Sequence, residues 1–216
     1  MLSVTFEPRP IVAPNHRMTH ASKKLLSKLP SLVLLVSCTA TAQNSRRSNT
    51  WDVSAWFTAA TGEENTNSFA EAQIWRGGVS VGREMTRNLG RGFARGTVEY
   101  GFSIVPLFVA TRPRAIYGGG FEPVVLRWNF SQYSNLVRPY IELAGGGLAT
   151  TSNLPAGNTS AFNFTARGGG GIYLSRKKRE TWDLGFRWAH ISNANLGVRN
   201  PEFNGLEICL GYHWFK

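Results

Sequence analysis

The sequence lacks the features that several protein classes require. Two cysteines, Cys38 and Cys209, occur among 216 residues, which excludes a disulfide framework and a cysteine-rich zinc site. Beyond residue 42, no stretch reaches the roughly 18 consecutive apolar residues of a membrane helix, and apolar residues do not recur at helical spacing. If the mature chain enters a bilayer, it must therefore do so as a closed barrel.

Acidic residues are also scarce, with 13 Asp and Glu against 24 Lys and Arg, which gives a net charge of +11. Five basic residues and one acidic residue fall within residues 1–42, so the rest of the chain carries +7. These basic residues are spread among predicted strands and turns, without a basic helix or a zinc motif. An anionic membrane surface therefore fits the charge better than nucleic acid, which is not expected as a partner.

The segment 23–42 has the order of a secretory signal peptide. Three lysines precede an apolar run, and the small residues of Ala40–Ala42 offer a cleavage site. We therefore expect residues 1–42 to be a leader and residues 43–216 to form the mature domain. A second interpretation stays open, because Leu35–Cys38 resembles a lipobox that would make Cys38 a lipidated N-terminus.

The mature chain alternates apolar and polar residues with the period of two that is typical of strands. Around residue 100, for example, Val98, Tyr100 and Phe102 share one face of the chain, while Thr97 and Glu99 share the other. Eight such segments are separated by turn-rich stretches. The predicted strands are Trp51–Ala60, Ala72–Met85, Ala94–Val109, Arg114–Phe130, Val137–Thr150, Ser160–Ser175, Trp182–Ser192 and Leu206–Phe215.

The polar faces of these strands carry charges of both signs, which suits a self-neutralising lumen. They include Arg95, Glu99, Arg127, Glu142, Arg167, Asp183 and Arg187. The apolar faces carry Trp, Tyr and Phe near strand ends, as an aromatic girdle would. The aromatic segment Gly211–Phe215 resembles the C-terminal assembly signal of outer-membrane proteins. We therefore predict an all-β, eight-stranded, antiparallel up-and-down transmembrane β-barrel in the bacterial outer membrane, rather than a soluble lipocalin-like carrier.

A candidate catalytic group stands at the end of the seventh predicted strand. His190 and Ser192 are two residues apart, so their side chains share a face, and Glu207 lies early on the return strand. A serine, a histidine and a carboxylate in contact can act as nucleophile, general base and orienting residue. Asn193 offers an amide N–H for the developing oxyanion. Because His190 and Ser192 continue the apolar row, we expect them on the outer wall, where a bilayer-resident ester can reach them.

The position of Glu207 conflicts with this arrangement. The apolar row of the last strand is formed by Leu206, Ile208 and Leu210, so Glu207 falls on the opposite face with Cys209. A triad on the lipid face requires either a bulge near Glu207 or a reversed assignment of the faces.

The segment resembles the lipid A 3-O-deacylase family of outer-membrane enzymes. The matching residues are His190-x-Ser192-Asn193-Ala194, Asn200-Pro201 and Asn204-Gly205-x-Glu207. The resemblance implies a serine esterase with Ser192 as nucleophile, His190 as base, Glu207 as orienting residue and Asn193 as oxyanion donor. It also implies lipid A, within lipopolysaccharide, as the substrate, and neither a metal nor another cofactor. The alternative is a non-catalytic eight-stranded barrel for adhesion or envelope structure, which has no need of His190 beside Ser192.

Overall fold

The computed structural model describes residues 50–216 apart from 65–66, 87, 113, 132–135 and 178, and it does not describe the side chains of residues 176 and 177. The predicted leader, with Cys38, lies outside the described residues. The described chain forms eight strands and one short 3₁₀ turn, Gly92–Ala94. The strands are β1 (Trp51–Gly62), β2 (Gln73–Glu84), β3 (Gly96–Ala110), β4 (Ile116–Phe130), β5 (Val137–Leu154), β6 (Ser160–Lys177), β7 (Glu180–Ser192) and β8 (Phe203–Phe215).

The strands form a closed barrel in chain order, and every neighbouring pair is antiparallel. Pairing of β1 with β8, from Asp52 opposite Phe215 to Gly62 opposite Gly205, closes the sheet. Closure leaves no unpaired strand edge, which is the condition that a bilayer imposes on a sheet. The predicted eight-stranded up-and-down barrel is confirmed. Among the described residues, no helix is long and apolar enough to cross a membrane.

The outer wall is apolar, as the alternation predicted. Large apolar side chains from all eight strands are exposed, among them Phe57, Val79, Phe102, Leu143 and Leu210. Tryptophans stand at both ends of this wall, with Trp51, Trp182 and Trp214 at one end and Trp75 and Trp188 at the other. Aromatic side chains at two levels suit the two interfaces of a bilayer. The lipocalin-like alternative requires apolar faces inside the barrel and is not compatible with this wall.

The lumen contains a buried ionic network. Among the described residues, four arginines and six carboxylates are buried within it. Glu142 is shared by three arginines: it accepts a hydrogen bond from Arg127 Nε at 2.5 Å and forms ion pairs with Arg187 Nε at 3.0 Å and Arg167 Nη1 at 3.3 Å. The members are Asp52, Arg76, Glu99, Glu122, Arg127, Glu142, Arg167, Asp183, Arg187 and Glu207. Charges buried this deeply must be paired, because an isolated ion in a low-dielectric interior is very costly.

An apolar cluster fills the lumen at the end where β1 joins β2 and β7 joins β8. Phe108 and Phe203 have no exposed surface, and Ile74, Ala189 and Ile191 pack with them. The remaining members are Ala60, Ala72, Ala110, Ile116, Leu148 and Leu154. The barrel is therefore packed with apolar side chains at this end and with ion pairs further in.

Candidate active site

Ser192 and His190 lie side by side at the end of β7. His190 Nε2 is 3.0 Å from Ser192 Oγ, which is hydrogen-bond distance. Both side chains are half-buried and continue the outward row of Phe186 and Trp188, while Ala189 and Ile191 point into the apolar cluster. The Trp188 ring stacks on the imidazole with 5.7 Å between ring centroids and 15° between ring planes. The structure thus brings the predicted nucleophile and base together on the outer wall.

Asn204 contacts the other side of the imidazole. It stands directly opposite His190 in the pairing of β7 with β8, and its Oδ1 is 2.8 Å from His190 Nδ1. An amide oxygen can only accept, so this contact requires the imidazole proton on Nδ1. In the neutral imidazole, Nε2 then carries a lone pair towards the Ser192 hydroxyl, which is the state that a general base needs.

Glu207 does not reach His190, which corrects the assignment of Glu207 as the orienting residue. It pairs with Arg187 across β7 and β8 and points into the lumen, where it has no exposed surface. Its carboxylate contacts Arg76 and lies 3.7 Å from Arg187 and 3.8 Å from Arg167. The pairing of β7 with β8 runs from Glu180 to Ile191 without a shift in register, so no bulge turns Glu207 outward.

Asn193 anchors the segment that follows Ser192 through two hydrogen bonds. Its backbone N–H donates to Asn200 Oδ1 at 2.8 Å, and its Nδ2 donates to the Arg199 carbonyl at 2.8 Å. The N–H that we predicted as an oxyanion donor is thus engaged by Asn200 in this state. A tight turn follows, closed by the Leu196 N–H on the Asn193 carbonyl at 2.9 Å.

The two central residues of this turn adopt left-handed backbone conformations. The φ angles are +49° at Ala194 and +65° at Asn195. Asparagine adopts this region with some ease, but alanine does so at a cost, because its Cβ crowds the backbone. Strained backbone of this kind is concentrated at functional sites, where the surrounding structure holds it in place.

The connection between β7 and β8 is held from both sides. On one side, the Glu202 N–H donates to the Asn67 carbonyl at 2.8 Å, and the Phe69 N–H donates to the Glu202 carbonyl at 3.0 Å. On the other side, the Arg199 N–H donates to the Asn158 carbonyl at 2.9 Å. The turn beside Ser192 is therefore supported by the β1–β2 and β5–β6 connections.

A shallow cavity of about 400 Å³ opens on the outer wall beside the site. Two residues that line the cavity also neighbour His190: Trp188 stacks on the imidazole, and Ala166 pairs with His190 across β6 and β7. Outward glycines at 145 and 168 leave space between larger side chains, with Val124 and Leu143 on the far side. The glycine-rich runs of β5 and β6 thus form a depression in a wall of bulky side chains.

Comparison with known proteins identifies the family. The family model described as lipid A 3-O-deacylase (PagL) matches residues 40–213. The chain belongs to the lipid A 3-O-deacylase family. Its members are outer-membrane barrels, so the predicted location in the bacterial outer membrane is confirmed. No individually curated protein matches the sequence.

Solved structures agree with this barrel fold. The crystal structure of the outer membrane enzyme PagL is 19% identical in sequence, with a TM-score of 0.55, and the match covers 74% of this chain and 97% of that one. The N-terminal β-barrel domain of Pseudomonas aeruginosa OprF is 13% identical, with a TM-score of 0.50, and the match covers 79% of this chain and 100% of that one. At these identities the likeness concerns the fold.

Sequence reasoning did not identify Asn204 as the partner of His190. Asn204-Gly205 has the composition of a turn, and we predicted that the last strand begins at Leu206. In the structure β8 begins at Phe203, so Asn204 is a strand residue with an outward side chain. The alternation of the strand could have identified Asn204, because Asn204 belongs to the same outward row as Leu206 and Ile208.

Proposed function

We propose that the protein is an outer-membrane serine esterase that removes an ester-linked acyl chain from lipid A. The observation that carries this proposal is the contact of 3.0 Å between Ser192 Oγ and His190 Nε2 on the lipid-facing wall. A serine hydroxyl is a weak nucleophile until a neighbouring base can take its proton. Membership of the lipid A 3-O-deacylase family supports the ester at position 3 of lipid A as the bond that is cut.

The proposed reaction has two halves. Ser192 Oγ attacks the ester carbonyl carbon while its proton passes to His190 Nε2, and the imidazolium then protonates the departing sugar oxygen. The products of this half are an acyl-serine and a free hydroxyl on the lipid. Water, activated by the same imidazole, next attacks the acyl-serine, which releases a fatty acid and restores the Ser192 hydroxyl.

Asn204 takes the orienting position in this proposal, in place of Glu207. Its Oδ1 holds the proton of His190 on Nδ1 throughout the cycle. A neutral amide fixes the tautomer, but it stabilises the positive imidazolium less than a carboxylate would. We therefore expect a working site whose rate is below what a carboxylate at position 204 would support.

The turn after Ser192 is the proposed source of oxyanion stabilisation. Asn193 lies next to the nucleophile, and its N–H already holds an acceptor oxygen, Asn200 Oδ1, at 2.8 Å. The carbonyl oxygen of the substrate, which becomes negative during attack, competes for this donor as the stronger acceptor. Hydrogen bonds of this kind often reach their final geometry once substrate is bound.

Replacing the nucleophile tests the proposal. We expect Ser192→Ala, purified and refolded in micelles, to release no fatty acid from lipid A, with a loss of at least about 10³-fold in rate. Mass spectrometry of lipid A and of the released acid gives the readout, and circular dichroism checks the barrel. Ser152→Ala is a matched control, because Ser152 stands at the same end of the barrel on β5 and contacts Arg114 rather than His190.

A wild-type barrel that leaves the mass of lipid A unchanged would contradict the proposal and favour a non-catalytic barrel. Equal rates in wild type and Ser192→Ala would assign the activity to another group.

A further inference from the structure

The orienting role proposed for Asn204 requires one of two orientations of its side-chain amide. The oxygen end is an acceptor and the nitrogen end is a donor, and the two ends have almost the same shape. With the oxygen towards His190, the imidazole proton stays on Nδ1. With the nitrogen towards His190, Nδ1 would have to accept, and the proton would move to Nε2, where it blocks transfer from Ser192.

Glu202 distinguishes between these two orientations. Its Oε2 lies 3.5 Å from Asn204 Nδ2, at the outer limit of a hydrogen bond. An ionised carboxylate accepts and cannot donate, so it favours the nitrogen end of the amide on its side. The oxygen end of Asn204 is then left facing His190.

The backbone around Glu202 is fixed independently of this contact. Its N–H and its carbonyl both bond to the β1–β2 connection, at Asn67 and Phe69. The next residue, Phe203, is fully buried and packs on Phe69 with 5.7 Å between ring centroids. The backbone that carries the Glu202 side chain is therefore held beside Asn204.

We propose that Glu202 is a positioning residue that sets the orientation of the Asn204 amide and, through it, the tautomer of His190. The contacts run from Ser192 to His190, from His190 to Asn204 and from Asn204 to Glu202. In a serine-histidine-carboxylate triad the carboxylate contacts the imidazole directly. Here the amide of Asn204 stands between the imidazole and the carboxylate of Glu202. This inference rests on the proposed function, because the tautomer matters when His190 acts as a base.

The variant Glu202→Gln tests the inference while keeping size and shape. Glutamine can accept or donate, so it removes the preference for one orientation of Asn204. We expect kcat for release of fatty acid from lipid A to fall about three- to tenfold, with KM unchanged. Tenfold corresponds to about 1.4 kcal/mol, the scale of one hydrogen bond to a charged group.

Nitrogen NMR of the imidazole gives a readout that a merely structural role would not move. In wild type we expect a protonated Nδ1 and an unprotonated Nε2 for His190, and in Glu202→Gln a mixture of the two tautomers. Glu64→Gln is the matched control, because it removes a charge from an exposed position in the β1–β2 connection, at the same end of the barrel. It should keep both the rate and the tautomer of wild type.

The outcomes separate the two proposals. If wild type is active, Ser192→Ala is inactive and Glu202→Gln matches Glu64→Gln in kcat and tautomer, the role of Glu202 is refuted and the esterase proposal stands. If wild type releases no fatty acid, the esterase proposal fails. The tautomer comparison then still decides whether Glu202 orients the Asn204–His190 pair.

Discussion

Replacing Asn204 by aspartate should make Glu202 unnecessary. Aspartate has the shape of asparagine, but both of its oxygens accept, so it has no wrong orientation towards His190 Nδ1. It also places a negative charge where Asn204 Oδ1 now lies, 2.8 Å from Nδ1. A charge at that position stabilises the imidazolium that forms as Ser192 gives up its proton.

The expected increase in rate for Asn204→Asp depends on how exposed His190 and residue 204 are to solvent. Two unit charges about 4 Å apart interact by about 4 kcal/mol at an effective dielectric constant of about 20, whereas exposed ion pairs contribute at most about 1 kcal/mol. His190 and Asn204 are half-buried, so we expect a value between these limits, about 1–2 kcal/mol. This corresponds to an increase in kcat/KM of about five- to thirtyfold.

Glu202 limits this gain in the single variant. Its Oε2 would face an aspartate oxygen across the 3.5 Å that now separates it from Asn204 Nδ2, and two carboxylates at this distance repel. We therefore expect a smaller increase in Asn204→Asp and the full increase in the double variant Asn204→Asp/Glu202→Gln. Glu202→Gln should thus lower kcat beside Asn204 and raise it beside Asp at position 204.

A double-mutant cycle checks this change of sign. The four proteins are refolded in the same micelles, and kcat and KM are measured on lipid A by release of fatty acid in the same buffer. Adding Ser192→Ala to the double variant should abolish the rate, which shows that the gain arises at the same site. Equal effects of Glu202→Gln in both backgrounds would refute the reasoning.

Two further changes test the lumen and the outer wall. Glu142→Gln leaves three lumen arginines without their shared carboxylate, so we expect a loss of about 3–5 kcal/mol in the free energy of unfolding, measured in urea against Glu64→Gln. An undiminished free energy would show that the network is not needed for stability. Gly168→Leu fills the outer-wall cavity beside Trp188, where the nearest atom to a new Cβ belongs to the flexible Leu143 side chain. We expect KM to rise about tenfold for a long-chain ester and to stay unchanged for a short-chain one, and equal effects on both would mean that no acyl chain lies there.

The strands could be predicted because each of them has one face in lipid and one in the lumen. This environment imposes a strict alternation, and it gave the ends of strands such as Phe130, Val137 and Ser192 as the structure has them. The start of β8 was predicted three residues late. Asn204-Gly205 is a strong turn signal in a sequence, but in the structure Phe203 and Asn204 pair with Ile191 and His190 of β7 and therefore belong to the strand.

The same alternation of lipid-facing and lumen-facing residues allowed part of the site to be predicted. Parity alone placed His190 and Ser192 on the outside, and it placed Glu207 in the lumen, as found. The motif spacing argued for a carboxylate near His190 and led to the wrong assignment of Glu207. Which residue lies opposite His190 depends on the register of β7 with β8, and a sequence with an uncertain strand start does not fix that register.

The position of the site follows from how the barrel is filled. At the end of β7, Ala189 and Ile191 pack into the apolar cluster, so the inward face of this segment is held by buried contacts. The alternation of the strand then presents His190 and Ser192 outward from a backbone that cannot shift without disturbing that cluster. A reacting pair has to keep its geometry to a fraction of an ångström. A strand whose inward side chains are packed in a buried cluster keeps that geometry better than an unsupported loop. Because the lumen at this end is occupied by side chains, the proposed function requires a lipid ester to approach Ser192 from the bilayer, across the apolar outer wall.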